Sequence, residues 1–243
     1  MAAKKRERKW KLSPEQMKLF HAVKSGDEDG IRAAHKGGID FNLRDWGKMT
    51  PMHHAAKAGD ADIIHLLCGL GAKTESKDGK AMKPLHHAAI ANKPEAIEML
   101  ALLDANLDTT DKEGMTPLHH AAANGSLEAV EKLISCGARI NKRDERKRSA
   151  LHIAAENGKT KVVECLLEKK PKLNRDDTGM LPIHRAVIHG DAEMVNAMVR
   201  HMKNRGVQLD GLGLQDLAEA HNKRDVLAAL MAWRVDKPRE KNE

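Results

Sequence analysis

Thr50-Pro51-Met52-His53-His54-Ala55-Ala56 decides the reading of this chain, because it recurs. It returns as Lys83-Pro84-Leu85-His86-His87-Ala88-Ala89 and as Thr116-Pro117-Leu118-His119-His120-Ala121-Ala122. Ser149-Ala150-Leu151-His152-Ile153-Ala154-Ala155 and Leu181-Pro182-Ile183-His184-Arg185-Ala186-Val187 follow. The steps between copies are 33, 33, 33 and 32 residues. A second series keeps the same period: Gly26, Gly59, Asn92, Gly125, Gly158 and Gly190. Two independent landmarks with one spacing make the internal repeat the organising feature of the chain.

Each repeat reads as helix, turn, helix and extended loop. Thr or Ser ahead of Pro is a helix cap followed by Pro at the first helical position, where its missing N–H costs nothing. Two Ala one turn later let a neighbouring helix approach closely, and the Gly that follows ends the helix in a left-handed conformation. Asp60, Ser126 and Asp191 are placed to cap the second helix, whose apolar residues fall at helical spacing, as in Ile63, Ile64, Leu66 and Leu67. Asn92 stands where the other units have Gly, as Asn can.

Composition agrees with packed short helices. Of 243 residues, 41% are apolar and 32% charged, which fits a globular chain rather than a disordered one. Only 2% are aromatic (three Trp, two Phe, no Tyr), too few rings for the strand surfaces of a sandwich or barrel. No apolar run approaches the ~18 residues of a membrane span, and no apolar segment follows the Met-Ala-Ala start, so neither a membrane span nor a secretory signal is expected. Cys68, Cys136 and Cys165 are odd in number and widely spaced, which argues against a disulfide framework and for a reducing compartment, cytoplasmic or nuclear. Six cations and one carboxylate in residues 4–11 supply +5 of the net +7, so the basic balance describes a short arm more than the folded body.

The Thr-Pro-Leu-His-x-Ala-Ala motif at this period resembles the ankyrin repeat family, over residues 13–235. The resemblance implies an all-α solenoid of stacked helix-turn-helix units joined by β-hairpin-like loops, with about seven units. The expected organisation is a basic arm (1–12), a degenerate N-capping repeat (13–47), five repeats (48–206), a degenerate C-capping repeat (207–235) and a polar tail (236–243). Departures from the motif are Lys83 and Leu181 in the capping slot and Ala150 for Pro. The unit carrying Leu181 is one residue short, and less regular stacking is expected there. Residues 200–212 read as a longer, Gly-rich connection.

The resemblance also implies that ligands meet the loop tips and the inner helices on a concave side. At the tips this points to Trp46, Met49, Lys80, Met82, Lys112, Met115, Arg146, Arg148 and Met180. At the inner helix ends it points to Lys57, Ile90, Asn124, Glu156 and His189. Met49, Met82, Met115 and Met180 share one slot just before the motif, which Arg148 fills in the remaining clear unit. A row of flexible, polarizable methionines suits an adaptable binding groove, although Met in this slot could equally shield its own turn. Trp46 is a candidate anchor, or a residue packed on the first cap. Residues 142–148 hold five cations and two carboxylates, a basic fourth tip able to receive an acidic partner or simply a solvated charge run.

The doublets His53-His54, His86-His87 and His119-His120 suggest a metal ladder, but in the family the first His is structural, and layers of packed helices lie ~10 Å apart. That separation is too wide for one tetrahedral zinc, so no metal and no cofactor is expected. The chain has no GxSxG, HExxH or phosphate-cradling Gly loop, and no catalytic residue is assigned. Lys4, Lys5, Arg6, Arg8 and Lys9 match a short nuclear-import pattern. Asn42, Asn141 and Asn174 fall in one register, where family members can be hydroxylated, and where a turn-bonding role is the simpler reading. The expectation is a non-catalytic, monomeric adaptor that presents a concave groove to a protein or peptide. The alternative is that the basic arm and basic fourth tip engage nucleic acid or an acidic surface.

Overall fold

The computed structural model describes residues 12–208 and 212–235. Among them are fourteen helices and no strand. They are α1 (Pro14–Ser25), α2 (Glu28–Lys36), α3 (Pro51–Ala58), α4 (Ala61–Gly69), α5 (Pro84–Ile90), α6 (Pro94–Leu102) and α7 (Pro117–Asn124). They continue with α8 (Leu127–Ser135), α9 (Ala150–Glu156), α10 (Thr160–Glu168), α11 (Pro182–His189), α12 (Ala192–Asn204), α13 (Leu214–Ala220) and α14 (Arg224–Val235). No helix of the described residues is long and apolar enough to cross a membrane. The chain divides into two compact units, Met1–Ala121 with Glu128–Arg139, and Ala122–Leu127 with Ile140–Glu243.

Within each unit the helices form two layers. In the first unit, first helices pack on first helices (α1 on α3, α3 on α5) and second on second (α4 on α6). In the second unit α9 packs on α11 and α11 on α13, while α10 packs on α12 and α12 on α14. The sequence pattern explains the layering. Ala55, Ala88, Ala154 and Ala186 are fully buried, and their small side chains let the first helices close on one another. Leu67, Leu100, Leu133 and Leu166, one per repeat, are likewise fully buried on the second helices. Burying each such leucine contributes ~2 kcal/mol.

Helix ends follow the capping chemistry of the sequence. Ser13 accepts the Gln16 N–H at 3.2 Å, Asp60 the Ile63 N–H at 3.0 Å and Asp191 the Met194 N–H at 3.0 Å. Gly59 (φ +92°) ends α3 in the left-handed region, and Asn92 (φ +52°) takes that conformation in the next unit. A Cβ on Gly59 would lie 2.6 Å from Cδ of Lys93, whose aliphatic stem covers the glycine.

Residues 200–204 are not loop, because α12 runs through Asn204 and buries Met194, Val195, Met198, Val199 and Met202 at helical spacing. The one-residue deletion also does not disturb the packing bond at its joint. Asp176–Met180 keeps the five-residue turn seen at Asp144–Arg148, and His152 still reaches the Met180 carbonyl at 3.2 Å. Lys172 lies 31 residues beyond Asn141, as Lys73 does beyond Asn42, so the missing residue falls between Lys172 and Asp176.

Candidate partner-binding surface

In four of the five motifs the first His joins its repeat to the next. The Thr50 N–H donates to Nδ1 of His53 at 3.0 Å, which leaves the proton on Nε2, and Nε2–H donates to the Met82 carbonyl at 3.1 Å. His86 repeats this with Lys83 N–H (3.1 Å) and Met115 O (3.2 Å), His152 with Ser149 and Met180, and His184 with Leu181 and Leu212. The imidazole therefore serves the backbone at the helix start, which is why Lys83 and Leu181 can stand in for the capping Thr. Burial pushes His53 and His86 down to about 4, against the partial support of their carbonyl hydrogen bonds. His152 and His184 are lowered for the same leading reason. These are neutral imidazoles.

The second His of each doublet holds a turn. His54 Nε2–H donates to Oδ2 of Asp45 at 2.7 Å, His87 to Asp78 at 2.9 Å and His120 to Asp111 at 2.7 Å. The other carboxylate oxygen of each Asp accepts backbone N–H groups across its own turn: Gly47 and Met49 on Asp45, Lys80 and Met82 on Asp78, Glu113 and Met115 on Asp111, all at 2.8–3.0 Å. In the last clear unit Arg185 replaces the second His and grips Asp176 at 2.6 and 3.1 Å. Burial would raise the Asp176 carboxyl, but donors from Thr178, Arg185 and the Met180 N–H outweigh it and hold it well below the usual carboxylate range.

The fourth unit solves the same problem differently. Position 153 is Ile, which cannot donate, and there Arg148 occupies the methionine slot and donates to Asp144 through Nε (2.9 Å) and a terminal nitrogen (2.8 Å). The Asp clamp at 45, 78, 111, 144 and 176 is what the sequence reading missed. Its signal was available: an Asp four residues ahead of the Met/Arg slot in every clear unit.

The clamps fix where the tip candidates stand. In the first unit Trp46 is 74% exposed on a turn whose neighbour Asp45 is fully engaged. Lys80, Lys112 and Lys57 are exposed, while Met49, Met115 and Ile90 are half-buried. Met82 is 8% exposed. In the second unit Arg146, Asn124, Glu156 and His189 are exposed and Met180 is half-buried. Arg148 and Glu156 are joined at 2.9 Å. Two cations of the basic fourth tip are thus used internally, since Arg143 also donates to the carbonyls of Lys147 (2.7 Å) and Arg175 (2.6 Å).

Four of the five hairpin-register residues bond the next turn. Asn42 accepts the Lys73 N–H, Glu75 that of Asn106, Asp108 that of Arg139 and Asn141 that of Lys172, each 31 residues on and at 2.8–3.2 Å. Asn174 has no such bond among the described residues, because the corresponding amide, Arg205, is taken by Met202 O at the end of the extended α12. The import-pattern residues Lys4, Lys5, Arg6, Arg8 and Lys9 lie outside the described residues.

The histidine rings stand closer than the ~10 Å spacing of packed helices implies. His53 and His87 of adjacent units meet edge to face at 5.4 Å, and His86 and His120 at 5.6 Å, because the rings reach across the gap between helix axes. Their ring hydrogen bonds run to carbonyls and carboxylates, and among the described residues no group of three His, Cys, Asp or Glu is arranged to hold a metal ion.

A family model described as ankyrin repeats (3 copies) matches residues 70–144 and, again, 124–209. One described as ankyrin repeats (many copies) matches residues 19–67. No curated protein matches the chain.

Proposed function

The chain belongs to the ankyrin repeat family, and from that premise we propose that it is a non-catalytic adaptor receiving a protein or peptide partner in a groove along its turn tips and first-helix ends. Ankyrin repeats are in general protein–protein interaction modules. The observation that carries the reading here is Trp46, held 74% exposed on a turn locked by hydrogen bonds to Asp45. An amphipathic ring presented by a pre-ordered turn binds at a low entropic cost, and Trp is enriched among residues that dominate interfaces. Met49 and Met115 lie half-buried in the slots beside such turns and offer adaptable apolar contact. The chemistry of the buried histidines fits this reading, since their nitrogens serve packing and turn closure rather than a reaction.

The test is proximity labelling in cells with the full chain and with a Trp46→Ala/Met115→Ala variant whose thermal unfolding matches the parent. The proposal requires proteins labelled by the parent and lost from the variant. Identical labelling by both would reject these tips as the binding surface.

A further inference from the structure

The first two turns of the first unit border a hollow of about 550 Å³ lined by Arg44, Lys73, Thr74, Glu75, Ser76 and Lys77. Its lining carboxylate, Glu75, is already committed: it pairs with Lys83 and accepts the Asn106 N–H at 3.2 Å. Arg44, Lys73 and Lys77 are exposed and have no carboxylate partner among the described residues. Three unopposed cations around one concavity concentrate positive potential in it. Thr74 and Ser76 add hydroxyl donors to the same wall.

The hollow is also held open by its backbone. Asn42 bridges the two turns, donating to the Gly71 carbonyl at 3.1 Å and accepting the Lys73 N–H at 2.9 Å. The Gly79 N–H donates to the Gly47 carbonyl at 3.3 Å. The same register of the second unit holds Arg143, Lys172 and Arg175, but there two of the three cationic groups are bonded to carbonyls. Arg143 donates to the carbonyls of Lys147 and Arg175, and Arg175 to that of Gly179 at 2.6 Å. Free cations are thus a property of the first hollow and not of the repeat position.

We propose that the hollow bordered by Arg44, Lys73 and Lys77 binds the carboxylates of an acidic peptide segment. The proposal rests on the binding-module reading and names the chemistry of its ligand. A peptide fits better than a nucleic acid for two reasons. The chain outside residues 4–11 carries little net charge, so it offers weak long-range attraction to a phosphate backbone. Trp46, two residues along the turn from Arg44, offers an apolar contact to a side chain flanking the acidic ones.

The experiment is fluorescence anisotropy of the full chain with three fluorescein-labelled probes: a peptide of alternating Glu and Leu, its Gln-for-Glu counterpart, and an oligothymidylate of equal charge. Arg44→Glu/Lys73→Glu/Lys77→Glu should weaken the Glu-Leu peptide by about 10-fold or more, and should flatten its salt dependence. The charge-matched Lys161→Glu/Lys169→Glu/Arg200→Glu should change it by less than about twofold. The basic arm is present in both variants, so its contribution cancels. A matching series to Gln, with far-UV circular dichroism, guards against unfolding. The proposal is overturned if both triples weaken binding equally, if the Gln peptide binds as well as the Glu peptide, or if the oligothymidylate binds more tightly and loses the same factor. If it is overturned while Trp46→Ala/Met115→Ala still loses its labelled partners, the ligand class alone is wrong. If that labelling difference is also absent, the binding-module reading fails with it.

Discussion

Acid should unfold this protein through its buried motif histidines. His53 and His86 are 0% exposed, carry the proton on Nε2 and titrate near 4 in the folded chain against 6.5 for a free imidazole. A folded-state value below the unfolded one means that the unfolded chain binds the proton more tightly. The stabilisation is therefore present above about pH 6.5 and is lost as pH falls from 6.5 toward 4. The fall from 6.5 to about 4 corresponds to about 3 kcal/mol for each residue, of which about 2.5 is already lost at pH 4.5. Together the two remove about 5 kcal/mol, a large part of the 5–15 kcal/mol typical of a folded domain. His54, His87, His152 and His184 are shifted in the same direction. Asp78 and Asp176, lowered from 3.8, add their losses only below about pH 4. The assay is urea unfolding followed by circular dichroism at half-unit steps between about pH 7.5 and 4.5. His53→Gln/His86→Gln should be less stable at neutral pH, and its stability should fall less steeply with acid, by up to about 1.4 kcal/mol per pH unit for each histidine removed. A parent stability that stays flat down to pH 5, or a variant with an unchanged slope, would refute this account of the histidines.

Three further outcomes follow from the packing. Arg148→Met should cost about 1–3 kcal/mol, because the buried Asp144 loses the side-chain donors to its Oδ2. Adding Ile153→His should recover much of the loss by restoring the arrangement of Asp45 with His54, as a double-mutant cycle of unfolding free energies would show. Gly59→Ala should destabilise by about 1 kcal/mol or more, since φ is +92° and the new Cβ meets the Lys93 stem; Lys93→Ala should relieve the clash but not the backbone strain, leaving an intermediate melting temperature. Leu118→Ala, at a site 2% exposed, should cost about 2–5 kcal/mol in the same unfolding assay.

The helices and the core were legible because they depend on local spacing. Thr50-Pro51 marks a helix start, Gly59 its stop, and Leu67 with its 33-residue counterparts the buried layer. Asn92 was rightly read as a glycine substitute. What escaped were contacts with no helical or strand period. Asp45 and His54 are nine residues apart across a turn and a helix start, so periodicity does not pair them. Arg148 looked like a lost methionine, and only the Ile at 153 reveals it as a replacement donor. The continuation of α12 was masked by the half-buried His201 and by Lys203 and Asn204, polar residues on its exposed side, although Met194, Met198 and Met202 kept the apolar stripe. The cationic hollow was invisible for a related reason. Arg44 belongs to one turn and Lys73 to the approach to the next, and Asn42 is the hinge pin that makes them neighbours.

The central claim is that the turn tips are rigid before any partner arrives. Amide hydrogen exchange at Met49, Met82 and Met115 tests it most directly, because each N–H is held at 2.9 Å by the carboxylate of its own turn. The free protein should exchange these three amides at least about 100-fold more slowly than an unstructured chain. Exchange of all three at unstructured-chain rates would contradict the claim and leave Trp46 without the pre-ordered platform from which it is argued to bind.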